Sequence, residues 1–166
     1  MTEHTMSKAV NMPNAKQIVM HSLRTAVAVV ASVLVARLFS LPETYWAPIT
    51  TIVITQSSLG AALAVSKERL LGTGLGAALG ALVGTYVGSS LLVFGVSIFI
   101  LGLLRTVVRA DRSAYRFGGI GLAIVVLVPS PRPPWRVAFD RFTEVAIGIA
   151  VALLLTVLWP EGEERN

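Results

Sequence analysis

Long apolar runs separated by short charged segments constrain this chain more than any other feature. "IVMHSLRTAVAVVASVLVARLF" (18–39), "YWAPITTIVITQSSLGAALAV" (45–65) and "LLVFGVSIFILGLLRTVV" (91–108) are each close to the roughly 20 residues that carry a helix through hydrocarbon. A soluble core cannot absorb them. Of 166 residues, 54% are hydrophobic and 14% charged, about half the charge of an ordinary soluble surface. A domain of this size exposes too much surface to hide so many apolar groups. The expectation is an all-α integral membrane protein. The net charge of +5 then reads as basic loops facing anionic lipid, with no nucleic acid as partner. With no cysteine and two histidines, His4 and His21, disulfides, thiolate sites and a histidine-rich metal centre are set aside. Neither a metal nor a cofactor is expected.

Six spans account for the chain. The first, Ile18 to Phe39, stops at "SLPET", where Pro42 cannot continue a helix and Glu43 and Thr44 suit a boundary. Tyr45 and Trp46 open the second as interfacial anchors, with Pro48 tolerated in its first turn. "SKERL" (66–70) reads as a polar junction, and a glycine-rich third helix follows. The fourth starts at Leu91. The fifth is weaker, since "IGLAIVVLV" is apolar for only nine residues before "PSPRPP"; it spans only if it begins near Ser113. The sixth runs from about Val137 to Trp159. This divides the chain into an N-terminal segment (1–17), a six-helix membrane domain (18–160) and an acidic tail (161–166). The first apolar run carries no cleavage signal and further spans follow it, so it does not read as a signal peptide. With the N-terminus inside, ten Lys and Arg fall on inside segments and four outside, which places both termini on the cytoplasmic side of the membrane.

The third helix carries glycine at 72, 76, 80, 84 and 88, always four apart. Gly72, Gly74 and Ala77 satisfy a permissive dinucleotide fingerprint, but no strand precedes them and no acid follows about 20 residues later. At 3.6 residues per turn, positions four apart stay near one face. Such a face lets another helix approach closely in lipid. The sixth helix, with its own Gly148, is the expected neighbour.

No nucleophile, base and orienting acid come together, so no catalytic residues are assigned and an enzyme is not expected. The polar groups of the second helix are more informative. Thr51, Thr55 and Ser58 lie three or four apart and could line a path, or satisfy themselves against the preceding turn. Gln56 carries donors and an acceptor that hydrocarbon cannot serve, so it should face a partner helix or water. Arg37, near the end of the first helix, is either an interfacial side chain that snorkels or a buried charge that draws anions. Arg141 and Glu144 either pair with each other, or Glu144 exchanges a proton or neutralises Arg37. The Lys67-Glu68-Arg69 segment reads as an inside loop that orients the chain, or as an inner vestibule. Basic groups near both mouths favour an anionic cargo.

Several of these residues, in this order, resemble a known family. Tyr45-Trp46-Ala47, Gln56-Ser57-Ser58-Leu59-Gly60, Arg69 with Gly72-Thr73 and Gly76, Arg141-Phe142 with Glu144, and Trp159-Pro160 are similar to the motifs of the fusaric-acid-resistance and aromatic acid exporter family. Its membrane domain is similar to that of plant aluminium-activated malate channels. The resemblance implies a homodimer enclosing a path for small organic carboxylates, aromatic ones included. Three functions fit the residues: an exporter or facilitator, an anion channel of the same architecture, and an accessory membrane subunit with no path of its own. In the first, Arg37, Thr51, Thr55, Gln56, Ser58, Arg141 and Glu144 line the path or bind the anion.

Overall fold

A computed structural model describes residues 15–55 and 58–159, and these form six helices with no strand among them. They are α1 (Ala15–Leu38), α2 (Trp46–Thr55), α3 (Leu59–Tyr86), α4 (Leu91–Val108), α5 (Arg112–Leu127) and α6 (Pro134–Leu158). Local chemistry explains most of the ends. The α1 terminus closes with Ser40 in the left-handed region (φ 52°). There the Ser40 N–H donates to Arg37 O and the Leu41 N–H to Ala36 O, at 2.9 and 3.2 Å, so two carbonyls that the helix leaves open are satisfied. Arg109 (φ 54°) closes α4 in the same way. Ser90 caps the start of α4 by accepting the Val93 N–H at 3.2 Å. Pro134 opens α6 at a position where its missing N–H costs nothing.

The second and third helices divide differently from the sequence reading. Described α2 ends at Thr55, and α3, from Leu59, runs unbroken through Ser66, Lys67, Glu68 and Arg69. At 1.5 Å per residue, α2 rises about 15 Å, half a hydrocarbon core, and α3 about 42 Å. Thr50, Thr51 and Thr55 each donate their hydroxyl to the carbonyl four residues back, at 3.0, 3.0 and 2.6 Å, a habit that weakens and bends helices. The charged stretch stays helical because its side chains find partners. Glu68 accepts the Asp111 N–H at the start of α5, at 3.1 Å, and Arg69 turns into the interior. Three described helices are long and apolar enough to cross a bilayer: Ile18–Leu38 of α1, α4 and α6.

The long α3 is the axis of the bundle and packs most extensively on α5, then α6. A Cβ on Gly72 would lie 2.1 Å from the Ala114 carbonyl oxygen, and one on Gly76 would lie 2.0 Å from that of Gly118. Gly80 meets Leu122 and Val125 of α5. Partner numbers rise together, so α3 and α5 run parallel, backbone against backbone. The glycine face thus meets α5 where the sequence pointed to the sixth helix. Only Gly84, against Pro134, and Gly74, against Phe142, face α6. Gly148 of α6 is taken up by α2 instead, close to Ala47 O and Thr50. Gly88 lies beyond α3 with φ +100° and open space around it, so it serves the turn into α4.

Ile54, Ala62, Val145, Ile149 and Ala152 join α2, α3 and α6 in one apolar cluster, and Leu101, Leu122 and Val126 join α4 to α5 in another. The outside stays apolar: Leu34, Leu91, Phe99 and Leu154 are each more than half exposed. That surface suits lipid and not water.

Candidate functional site

A cavity of about 250 Å³ lies between four helices. Its walls are Trp46, Ile49 and Val53 of α2, Arg69 and Thr73 of α3, Phe117, Ile120 and Gly121 of α5, and Arg141 and Val145 of α6. Two guanidiniums therefore share a pocket whose remaining walls are mostly aromatic and branched apolar.

Arg69 is 6% exposed. It is placed by the same periodicity that buries the glycines, since Ser66, Arg69, the pair Gly72-Thr73 and Gly76 recur at three or four residues on the buried face of α3. Its Nε and Nη2 both donate to Thr50 Oγ1, at 3.2 and 3.0 Å. Its Cζ lies 4.7 Å from the centre of the Phe117 ring, within cation–π range. Among the described residues no carboxylate pairs with it. A charge this deep that meets only a hydroxyl and a ring lacks the compensation that burial demands.

Arg141, 3% exposed, has the opposite surroundings. Its Nη2 donates to Glu43 at 2.5 Å and its Nη1 to Glu144 at 3.3 Å. Its Cζ stacks 4.1 Å from the Trp46 ring centre. Its Nε is buried without an acceptor. Glu43, in the α1–α2 turn, also accepts from Tyr45 Oη at 3.0 Å and Trp46 Nε1 at 3.2 Å. Glu144 is 1% exposed and accepts the Glu43 backbone N–H at 3.2 Å. Arg132, from the α5–α6 turn, pairs with Asp140 and reaches Glu43 at 4.0 Å. Burial pushes the Glu43 carboxyl up, but the hydrogen bonds from Arg141, Tyr45 and Trp46 and the Arg141 charge outweigh it, so its pKa lies below the ordinary 4.5.

The residues singled out in the sequence scatter around this site. Arg141 and Glu144 come together, and Arg141 lines the cavity. Thr51 is buried but turned to α6, donating to Ala47 O and Gly148 O at 3.0 and 3.1 Å. Thr55 is buried and bonded within α2. Ser58 is exposed at the start of α3. Arg37 is exposed in the last turn of α1, away from the cavity. Gln56 lies outside the described residues. Sequence reasoning assigned none of Arg69, Glu43, Trp46 and Phe117 to the site: Arg69 and Trp46 entered as motif residues, in an inside loop and as an interfacial anchor, and Glu43 as a helix boundary. For Arg69 the signal was present: extending the glycine face three residues back from Gly72 lands on it.

Residues 27–155 match the family described as fusaric acid resistance protein-like. The chain belongs to this family. Over 149 residues it is 30% identical to the inner membrane protein YeeA of Escherichia coli strain K12, an alignment covering 86% of this chain and 41% of that protein. The chain thus spans about two fifths of the length of the curated relative it matches. No solved structure matches. Family membership and the apolar helices together make this a membrane protein.

Proposed function

We propose that this fusaric acid resistance-like protein carries small organic carboxylates, aromatic ones included, across the bacterial inner membrane, and that they bind in the cavity between Arg69 and Arg141. The observation behind this reading is Arg69, a buried guanidinium with no carboxylate partner among the described residues, set in an apolar and aromatic wall. An organic acid supplies both complements. Its carboxylate meets the guanidinium through charge-assisted hydrogen bonds, and its apolar body packs on Phe117, Trp46 and Ile120. At about 250 Å³ the cavity falls below the usual range for drug-sized ligands, which favours a single-ring acid.

Ile49, Val53 and Ile120, at the cavity wall, are 40%, 37% and 48% exposed. A second copy laid over this side would close the cavity from lipid, so the working unit is read as a homodimer. Arg105, Arg109, Arg112 and Arg116 lie around the α4–α5 turn, which supports reading that end as the cytoplasmic one. The test is efflux of radiolabelled benzoate from proteoliposomes. The wild-type protein should release it faster than empty vesicles, and Arg69→Ala should not. Equal release from Arg69→Ala and wild-type vesicles would overturn the reading. A benzoate current independent of any imposed proton gradient would identify a channel instead.

A further inference from the structure

We infer that Glu144 binds a proton whose presence decides whether Arg141 can take the carboxylate of an organic anion, so that one proton and one anion bind together. The inference rests on the cavity being the anion site. It starts from a mismatch of charge around Arg141. Three carboxylates, Glu43, Asp140 and Glu144, surround two guanidiniums, Arg132 and Arg141. Asp140 is held by Arg132. Glu43 has Arg141 at 2.5 Å, a phenol and an indole N–H. Glu144 is the poorest served, with one 3.3 Å contact to Arg141, one backbone N–H and 1% exposure. The ionisable groups acting on it are Arg141 and Asp140 of its own helix and Glu43 of the α1–α2 turn. Arg69 of α3 lines the cavity that Arg141 also lines. Of the three carboxylates, Glu144 is the one whose ionisation is least compensated, so it is where a proton binds.

The proton goes to Glu144 Oε2, the atom that Arg141 Nη1 contacts, while Oε1 keeps the Glu43 N–H. Arg141 then offers two N–H donors without acceptors, Nη1 and the already unpartnered Nε, from a residue that lines the cavity. A ligand carboxylate in the cavity accepts the Nη1 N–H that the neutral Glu144 no longer binds. Arg141 is flanked by two carboxylates before and after, Glu43 with Glu144 and then Glu43 with the ligand, so no uncompensated charge is created in the interior. Linkage requires the reciprocal effect: anion binding raises the proton affinity of Glu144.

The experiment is calorimetric titration of purified protein with benzoate at about pH 6 and about pH 8, where benzoate itself stays ionised, repeated in buffers of different ionisation enthalpy. The wild-type protein should take up protons on binding and bind about tenfold more weakly at the higher pH. Glu144→Gln, which carries its proton equivalent permanently, should bind at both pH values with the wild-type affinity at the lower one, and take up no proton. Benzoate binding by wild type without proton uptake overturns the linkage and leaves the cavity reading intact. Undiminished pH dependence in Glu144→Gln overturns the role of Glu144. No benzoate binding by wild type at either pH overturns the cavity reading and the linkage together.

Discussion

Arg141 and Arg69 line one cavity, are both almost fully buried, and both lie over an aromatic ring. Their counter-charges separate them. Arg141 is held by two carboxylates that the fold supplies, whereas Arg69 has a threonine hydroxyl and a phenyl face. Removing one member of a buried ion pair strands the other, at a cost of about 3–5 kcal/mol. Removing a buried charge that has no counter-charge strands no ion. Arg141→Met should therefore lower stability by about 3–5 kcal/mol, seen as a clear drop in Tm in detergent, because Glu43 and Glu144 lose their neutraliser. Arg69→Met should hold or raise Tm while weakening benzoate binding roughly thirtyfold, about 2 kcal/mol for one charge-assisted contact. Equal losses of Tm in the two variants would erase the distinction.

A substitution that touches neither arginine sharpens the comparison. Phe117, the ring under Arg69, precedes Gly118, whose carbonyl oxygen would lie 2.0 Å from a Cβ on Gly76. Gly76→Ala has to push α5 away from α3, because the obstacle is backbone and cannot rotate aside. A destabilisation of about 1–3 kcal/mol is expected from overpacking. The ring should also move off Arg69, so benzoate binding should weaken, while the α2–α6 contacts around Arg141 stay intact. Gly95→Ala is the control: its Cβ would meet nothing within 4 Å, and a mid-helix alanine should stabilise α4 by about 0.5–1 kcal/mol. Identical behaviour of the two variants would remove the α3–α5 contact from the explanation of the site.

The parts of this molecule legible in the sequence are those where one physical signal acts alone. Long apolar runs give α1, α4 and the second half of α6, and the four-residue glycine spacing gives a face before its partner is known. The α2–α3 boundary is harder because two polar interruptions compete. Gln56-Ser57-Ser58 is neutral and Ser66-Lys67-Glu68-Arg69 is charged. Charge is the stronger sign of a loop in a membrane chain, unless tertiary contacts satisfy it. Here they do, through Asp111 and Thr50 for Glu68 and Arg69, and neither contact is local in sequence. Arg141 and Glu144 were legible as a pair because both sit on one helix three apart. Glu43 was not, because it reaches Arg141 across 98 positions of chain.

Glu43 also offers the mildest test of how the carboxylate-rich end is held. Its folded pKa lies below the ordinary 4.5, because the hydrogen bonds and charge around it outweigh its partial burial. A carboxylate shifted downwards stabilises the fold fully above its unfolded pKa and loses that contribution as pH falls through the folded one. The Tm difference between wild type and Glu43→Gln should therefore be level from neutral pH to near 4.5 and shrink below it. The effect should be smaller than that of Arg141→Met, because Arg141 keeps Glu144 and the Glu43 side chain is 27% exposed. Arg69→Met, compared with wild type over the same range, should show no such step, since no carboxylate depends on it. A Tm gap for Glu43→Gln that stays constant to the lowest pH would mean that the Arg141 pairing contributes no stability at this end, and the contrast between the two arginines would then rest on Glu144 alone.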